Sequence, residues 1–329
     1  MKNKPFKILL CGAFGYGNLG DNLIRDEAVH FFNDYFPEIE VYIDRPYPNK
    51  ELIDFVDLRI IGPGGLLYDA DEDHIKNFLS YCKKPYICMG VGIQFPEVIM
   101  ENGLIAECSK NSDLIITRHI VDLLFIKKFR SDMTTVYVMP DFGYYFKPNI
   151  KIKQYEKELS NNPVIALCPI ASNYKNDEIS DNILNEIDIL LSFSEEDNYA
   201  VNKLARRKIS QRTTIEYYTD SFNSMYNLLD NVDLLITSRF HAGILATLNQ
   251  HTKVVSFIND AKNRWYKLNQ EFPEKFDFIK LKDNKISYIN SIPLKQKTNV
   301  NFLISEIDVY RDIMAKEIKN YLESNFKIR

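Results

Sequence analysis

The chain has 329 residues, 45% of them hydrophobic and 26% charged, a globular composition with room for two ordinary domains or one large one. Forty-one basic residues against forty-five acidic ones give a formal net charge of −4, without the basic surplus of a nucleic-acid binder. No segment reaches the ~18–20 uncharged apolar residues that a membrane-spanning helix needs.

The opening MKNKPFKILLCGAFGYG sets basic residues before apolar ones, as a secretory signal does. Its apolar stretch is too short for that role and runs straight into a glycine loop and a charged helix. A buried first strand over 6–11 is expected instead. Further strands are expected at 40–43, 58–61, 85–89, 114–117, 135–138, 164–168, 214–218, 233–237 and 253–257. Segments of helical pattern lie between them. This alternation predicts an α/β fold built from βαβ units, with parallel sheets covered by helices on both faces. The polar stretch KPNIKIKQYEKELSNNP, between Tyr145 and Pro163, reads as a linker. The expected domains are 1–150 and 160–300, each Rossmann-like. A tail over 301–329 is expected to pack on the body as an amphipathic helix, with Leu303, Ile307, Tyr310, Met314, Ile318 and Tyr321 on one stripe.

Glycine is scarce, with 12 residues, about half the usual share of roughly 7%. Eleven lie at or before Gly143, and Gly243 alone follows. A chain this sparing puts glycine where the backbone needs it. Gly15, Gly17 and Gly20 match G-x-G-x-x-G between the first strand and a helix, and Asp44 ends the next strand, as in a dinucleotide fingerprint. Against that reading, Asp21 follows the last glycine and would repel a pyrophosphate, and the loop from Gly12 is long. Two readings of Asn18 and Asp21 remain: they face a ligand, or they cap the helix. Gly62-Pro63-Gly64-Gly65 and Gly90-Val91-Gly92 are read as two more glycine turns at strand ends, lining the edge where open α/β sheets bind ligands.

The sharpest motif is Thr237-Ser238-Arg239-Phe240-His241-Ala242-Gly243, between an apolar strand and an apolar helix. Arg239 has the fork to grip a carboxylate or phosphate, and His241 is a candidate proton carrier. A satisfied core histidine is the competing reading. Asn231-Val232-Asp233-Leu234-Leu235-Ile236-Thr237 is echoed by Asn111-Ser112-Asp113-Leu114-Ile115-Ile116-Thr117, and each run is followed by an arginine, Arg239 and Arg118. Related halves would each send an arginine from a strand's carboxyl end towards a crevice. Lys262 or Arg264, after the strand at 253–257, would add positive charge there. The basic run 203–208 is read as a solvated helix face. Five cysteines (Cys11, Cys82, Cys88, Cys108 and Cys168), without a CxxC pair, read as buried thiols of a reducing cytoplasm, and no zinc site is expected.

The order Gly17-Asn18-Leu19-Gly20-Asp21, then Gly-Pro-Gly-Gly, Gly-x-Gly-Ile, Thr117-Arg118, Met139-Pro140-Asp141 and Ser238-Arg239-Phe240-His241 resembles the polysaccharide pyruvyl transferase family, from Gly12 to about Lys262. Asn22 and His119 stand where the family is usually acidic, and Gln94 where it has a Gly-Pro-like turn. The resemblance implies a GT-B-like fold of two facing Rossmann-type domains with a crevice between them. It implies transfer of the enolpyruvyl unit of phosphoenolpyruvate onto two hydroxyls of a sugar in a cell-surface polysaccharide or its precursor, releasing phosphate. By position, His241 would be the general acid. Arg118, Ser238, Arg239 and Lys262 would hold the donor, and Asp21 would serve as base or on the acceptor side. Gly17, Asn18, Gly20, Gly64, Gly65 and Gly92 would offer close backbone. No metal or cofactor is implied beyond the donor substrate. The implied partner is a sugar or lipid-linked glycan, and the implied location is the cytoplasm, at the membrane's inner face when the acceptor is lipid-linked. A GT-B glycosyltransferase using a nucleotide-activated sugar is the alternative.

Overall fold

The computed structural model describes residues 4–45, 49–80, 82, 85–94, 98–119, 122–148, 163–170, 179, 181–207, 213–219, 221–237, 239–249, 252–257, 276–279 and 300–327. The chain divides into two compact units. Unit 1 comprises Met1–Tyr16, Asp21–Phe146 and Ile304–Arg329; unit 2 comprises Gly17–Gly20 and Lys147–Leu303. From Ile304 on, the tail therefore belongs with unit 1, and four residues of the glycine loop belong with unit 2.

Unit 1 holds strands β1 (Phe6–Cys11), β2 (Ile39–Asp44), β3 (Leu58–Ile61), β4 (Gly64–Leu67), β5 (Tyr86–Ile93), β6 (Ile115–Thr117) and β7 (Val136–Val138). All their pairings are parallel, in the order β2-β1-β3-β5-β6-β7, with β4 paired to β5 off this path. The connecting helices are α1 (Leu19–Tyr35), α2 (Lys50–Phe55), α3 (Glu72–Leu79), α4 (Leu104–Asn111) and α5 (Asp122–Ile126). Apolar runs such as Ile8-Leu9-Leu10-Cys11 are wholly buried, as strands covered on both faces must be. Asn49 and Asp71 begin α2 and α3 by accepting first-turn amides on their side chains.

Unit 2 holds β8 (Ile165–Cys168), β9 (Ile189–Leu191), β10 (Thr214–Glu216), β11 (Leu234–Thr237), β12 (Lys253–Phe257) and β13 (Phe276–Ile279), with α6 (Asp181–Glu186), α7 (Asp197–Arg207), α8 (Phe222–Leu229) and α9 (Phe240–Thr247). Its sheet is parallel in the order β10-β9-β8-β11-β12-β13, which is the Rossmann order 3-2-1-4-5-6. The α/β expectation with two Rossmann-type sheets holds.

Three details differ from the sequence reading. The segment from Gly90 to Gly92 is not a turn; it lies inside β5, every residue of which is buried. Gly90 has φ +64, and the register against β6 shifts between Met89 and Val91, so the strand bulges and continues. Gly64 and Gly65 likewise open a strand, β4, rather than closing a turn. Strands β4, β9 and β13 were not expected, being three or four residues long and rich in glycine or merged with helical pattern.

The final helix, α10 (Val300–Phe326), buries Ile307, Met314, Ile318 and Tyr321. Tyr310, expected on the same stripe, is 42% exposed, and the Leu303 side chain lies outside the described residues. Polar bonds fix α10 in unit 1. Tyr321 donates to Asp113 at 2.8 Å, Tyr137 to Glu317 at 2.8 Å, and Arg311 to Asp34 at 2.7 Å. The five cysteines form no disulfide. Among the described residues, no helix is long and apolar enough to cross a membrane.

Candidate functional site

In the Rossmann order, strand order reverses between the first and fourth strands, and ligands bind beyond the carboxyl ends at that point. In unit 2 these strands are β8 and β11, paired through Thr237 and Cys168. The Thr237 hydroxyl donates to the Cys168 carbonyl at 3.1 Å and accepts the Arg239 amide at 2.9 Å. It thereby locks the end of β11 to the turn that follows. Arg239 occupies the N-cap of α9 with extended backbone, and no side-chain cap bond is made there. Its carbonyl accepts the Gly243 amide, and His241 falls in the first turn.

The Arg239 side chain runs to α7 instead. Its Nε donates to Asp197 Oδ2 at 2.8 Å and its Nη2 to Asp197 Oδ1 at 2.6 Å. Nη2 also donates to Ser194 Oγ at 2.7 Å. The Nε–Nη2 edge of that fork is thus engaged by the protein's own carboxylate. Asp197 is fully buried, whereas the Arg239 side chain keeps 16% exposure. Cys168 sits beside this pair. Its thiol pKa is raised to about 12, chiefly by burial and then by Asp197, with the Thr237 hydrogen bond and Arg239 opposing the rise.

The glycine loop reaches the same unit. Leu19 N donates to Phe193 O at 3.1 Å, Glu195 N to Gly17 O at 2.9 Å, and Asn18 bridges Ser194 in antiparallel fashion. Asn18 also accepts the Gly20 amide at 3.0 Å, a cap-type bond. The His241 ring lies against Gly20, where an added β-carbon would stand 2.6 Å from the imidazole Cγ. The structure therefore brings Gly17, Asn18, Gly20, Arg239 and His241 together. Asp21 follows in the first turn of α1, half-buried, and is counted with unit 1. Ser238, Lys262 and Arg264 lie outside the described residues.

Unit 1 contains the counterpart arginine. Arg118 follows β6, its amide donates to Val91 O at 3.0 Å, and its Nη1 meets Asp141 Oδ2 at 2.6 Å with both side chains buried. Asp141 also accepts the Gly143 amide at 2.9 Å. Gly92 makes room for the guanidinium, since a β-carbon there would stand 2.6 Å from Arg118 Nε. Gln94 donates to the Gly65 carbonyl beside it, and Gly64 lies buried at the head of β4. Each repeated Leu-[Ile/Leu]-Ile-Thr strand thus ends in an arginine paired with an aspartate.

Asp197 and Ser194 were missed by sequence reasoning. Their only signal is Ser194-Glu195-Glu196-Asp197 directly after an apolar run, a pattern shared by ordinary helix starts. Among the described residues, no group of three His, Cys, Asp or Glu side chains is placed to hold a metal ion.

A family model described as polysaccharide pyruvyl transferase matches residues 18–261. Comparison with curated proteins finds no significant match. Among solved structures, the chain resembles the S. aureus MnaA–UDP co-structure at 10% identity and TM-score 0.54, covering 83% of each chain. It resembles Anabaena HepE in complex with UDP and glucose at 9% identity and TM-score 0.55, covering 96% of this chain and 100% of that one. It also resembles Methanocaldococcus jannaschii UDP-GlcNAc 2-epimerase, in complex with UDP-GlcNAc and UDP, at 10% identity and TM-score 0.53, covering 93% and 92%. At these identities the likeness is one of fold, and it is GT-B-like.

Proposed function

The chain belongs to the polysaccharide pyruvyl transferase family, and from that premise we propose that it moves the enolpyruvyl group of phosphoenolpyruvate onto two hydroxyls of a sugar, forming a pyruvate ketal and releasing phosphate. The observation that carries this reading is the placement of Arg239 and His241 just beyond β11, at the switch point of a Rossmann-ordered sheet.

The chemistry needs a proton donor beside an anion-binding cation. His241 gives a proton to the methylene carbon of the donor, histidine being the side chain most often used as a general acid. The adjacent carbon then carries oxocarbenium character, and a sugar hydroxyl attacks it and gives up its own proton. The carbon–oxygen bond to phosphate breaks and phosphate leaves, its charge met by guanidinium. A second hydroxyl attacks the same carbon, loses its proton and closes the ketal. The net change is donor plus diol to ketal plus phosphate. Asp21 is the base candidate. Arg239 is the donor-binding residue of unit 2, and Arg118, Ser238 and Lys262 keep donor roles by motif position. The acceptor is a glycan or a lipid-linked glycan precursor made in the cytoplasm, and the scheme calls for no cofactor.

The test is incubation with phosphoenolpyruvate and a panel of acceptor glycans. The expected result is phosphate release together with a product heavier by one pyruvate less one water. Tight UDP binding without turnover of phosphoenolpyruvate would instead favour a glycosyltransferase using a nucleotide-activated sugar.

A further inference from the structure

We propose that Asp197, assisted by Ser194, is a positioning residue for the donor site: the turn at 193–197 aims Arg239 and ties the glycine loop to it. This rests on the assignment of Arg239 to the donor.

The turn is itself held rigidly. Asp197 N donates to Ser194 O at 3.0 Å, and Asp197 Oδ2 accepts Phe193 N at 3.3 Å. The carboxylate therefore has its own backbone anchor before Arg239 arrives. Arg239 then meets it through two parallel bonds, the geometry that fixes a guanidinium in plane as well as in place. Ser194 supplies a third bond to the same Nη2 and, from its backbone, the bridge to Asn18. One five-residue turn thus contacts Arg239 by side chain and the glycine loop by main chain, and the loop in turn carries Gly20 against His241.

Stability alone is a poor reason for this arrangement. A buried ion pair costs desolvation that apolar residues of similar volume would avoid. What the pair supplies is orientation. A long, flexible arginine at the rim of a sheet is pre-set in one pose, so a bound anion need not pay to order it.

The experiment is calorimetric titration of the full chain with phosphoenolpyruvate, for wild type, Asp197→Asn and Ser194→Ala, reading Kd and stoichiometry separately. A purely structural role lowers the fraction of competent protein, and so the stoichiometry, while Kd stays put. A positioning role raises Kd at full stoichiometry: by about tenfold for Asp197→Asn and about threefold for Ser194→Ala. If wild type binds and both variants keep its Kd, the positioning role is overturned and the functional reading stands. If wild type does not bind the donor, the functional reading fails and takes this proposal with it. Should Asp197→Asn not fold, Ser194→Ala decides alone, an unchanged Kd counting against the proposal.

Discussion

The imidazole of His241 rests on Gly20, with no room between them for a β-carbon. Any side chain at position 20 must push the ring or the loop aside. Gly20→Ala is therefore expected to lower the rate of phosphate release by about 100-fold, the cost of misplacing a catalytic group by an ångström or so. Donor affinity should change little, because Arg239 is held from α7 by Asp197. Paired measurement of turnover and phosphoenolpyruvate binding checks this. Equal losses in both would mean that the loop collapses rather than that His241 moves.

The Arg118–Asp141 pair is buried on both sides. Removing one partner leaves the other charge uncompensated, so Asp141→Asn should cost roughly 3–5 kcal/mol in urea denaturation. The double variant Arg118→Met, Asp141→Leu should recover most of that stability. Donor turnover should stay lost in the double variant if Arg118 serves the reaction as its motif position implies.

Cys168 makes alkaline stability a readout of the switch point. Its folded pKa is raised from 9.0 to about 12, first by burial. The stability this represents is fully present below the unfolded value and is lost as pH rises towards the folded one. Unfolding free energy should therefore fall by up to roughly 1.4 kcal/mol per pH unit between those limits. Cys168→Ala should flatten that decline, and urea midpoints across the range give the comparison. A Cys168 thiol alkylated rapidly at pH 8 in the folded protein would contradict the burial.

Helix α10 is counted with unit 1 from Ile304 on, and Ile318 is fully buried there. Ile318→Ala should cost about 2–5 kcal/mol through lost contacts and the cavity left behind. Val309, 57% exposed on the same helix, should tolerate alanine almost without loss in the same urea titration, because surface substitutions usually stay within about 0.5 kcal/mol.

Much of this architecture is legible in the sequence, for physical reasons that particular residues show. Strands such as Phe6–Cys11 and Leu234–Thr237 are buried on both faces, so they read as unbroken apolar runs. Arg239 and His241 are legible because a strand end, a cation and a helix start fall within a few residues. Asp197 is not, because its meaning lies in a partner 42 positions away. Met139-Pro140-Asp141 is a weak motif alone, and its aspartate acquires sense only when Arg118 is found on it. Glycine misled where Gly90 and Gly92 read as a turn, since a bulged strand and a turn use the same residue. Gly103, without evident purpose in the sequence, lies under the carboxylate of Asp69, which accepts the Met100 and Ile105 amides at the start of α4.

The most direct measurement is phosphate release from phosphoenolpyruvate, with a productive acceptor, by wild type and by His241→Ala. The variant should still bind the donor through Arg239 but release phosphate at least about 100-fold more slowly, the usual worth of a positioned general acid. Release at the wild-type rate by His241→Ala would contradict it.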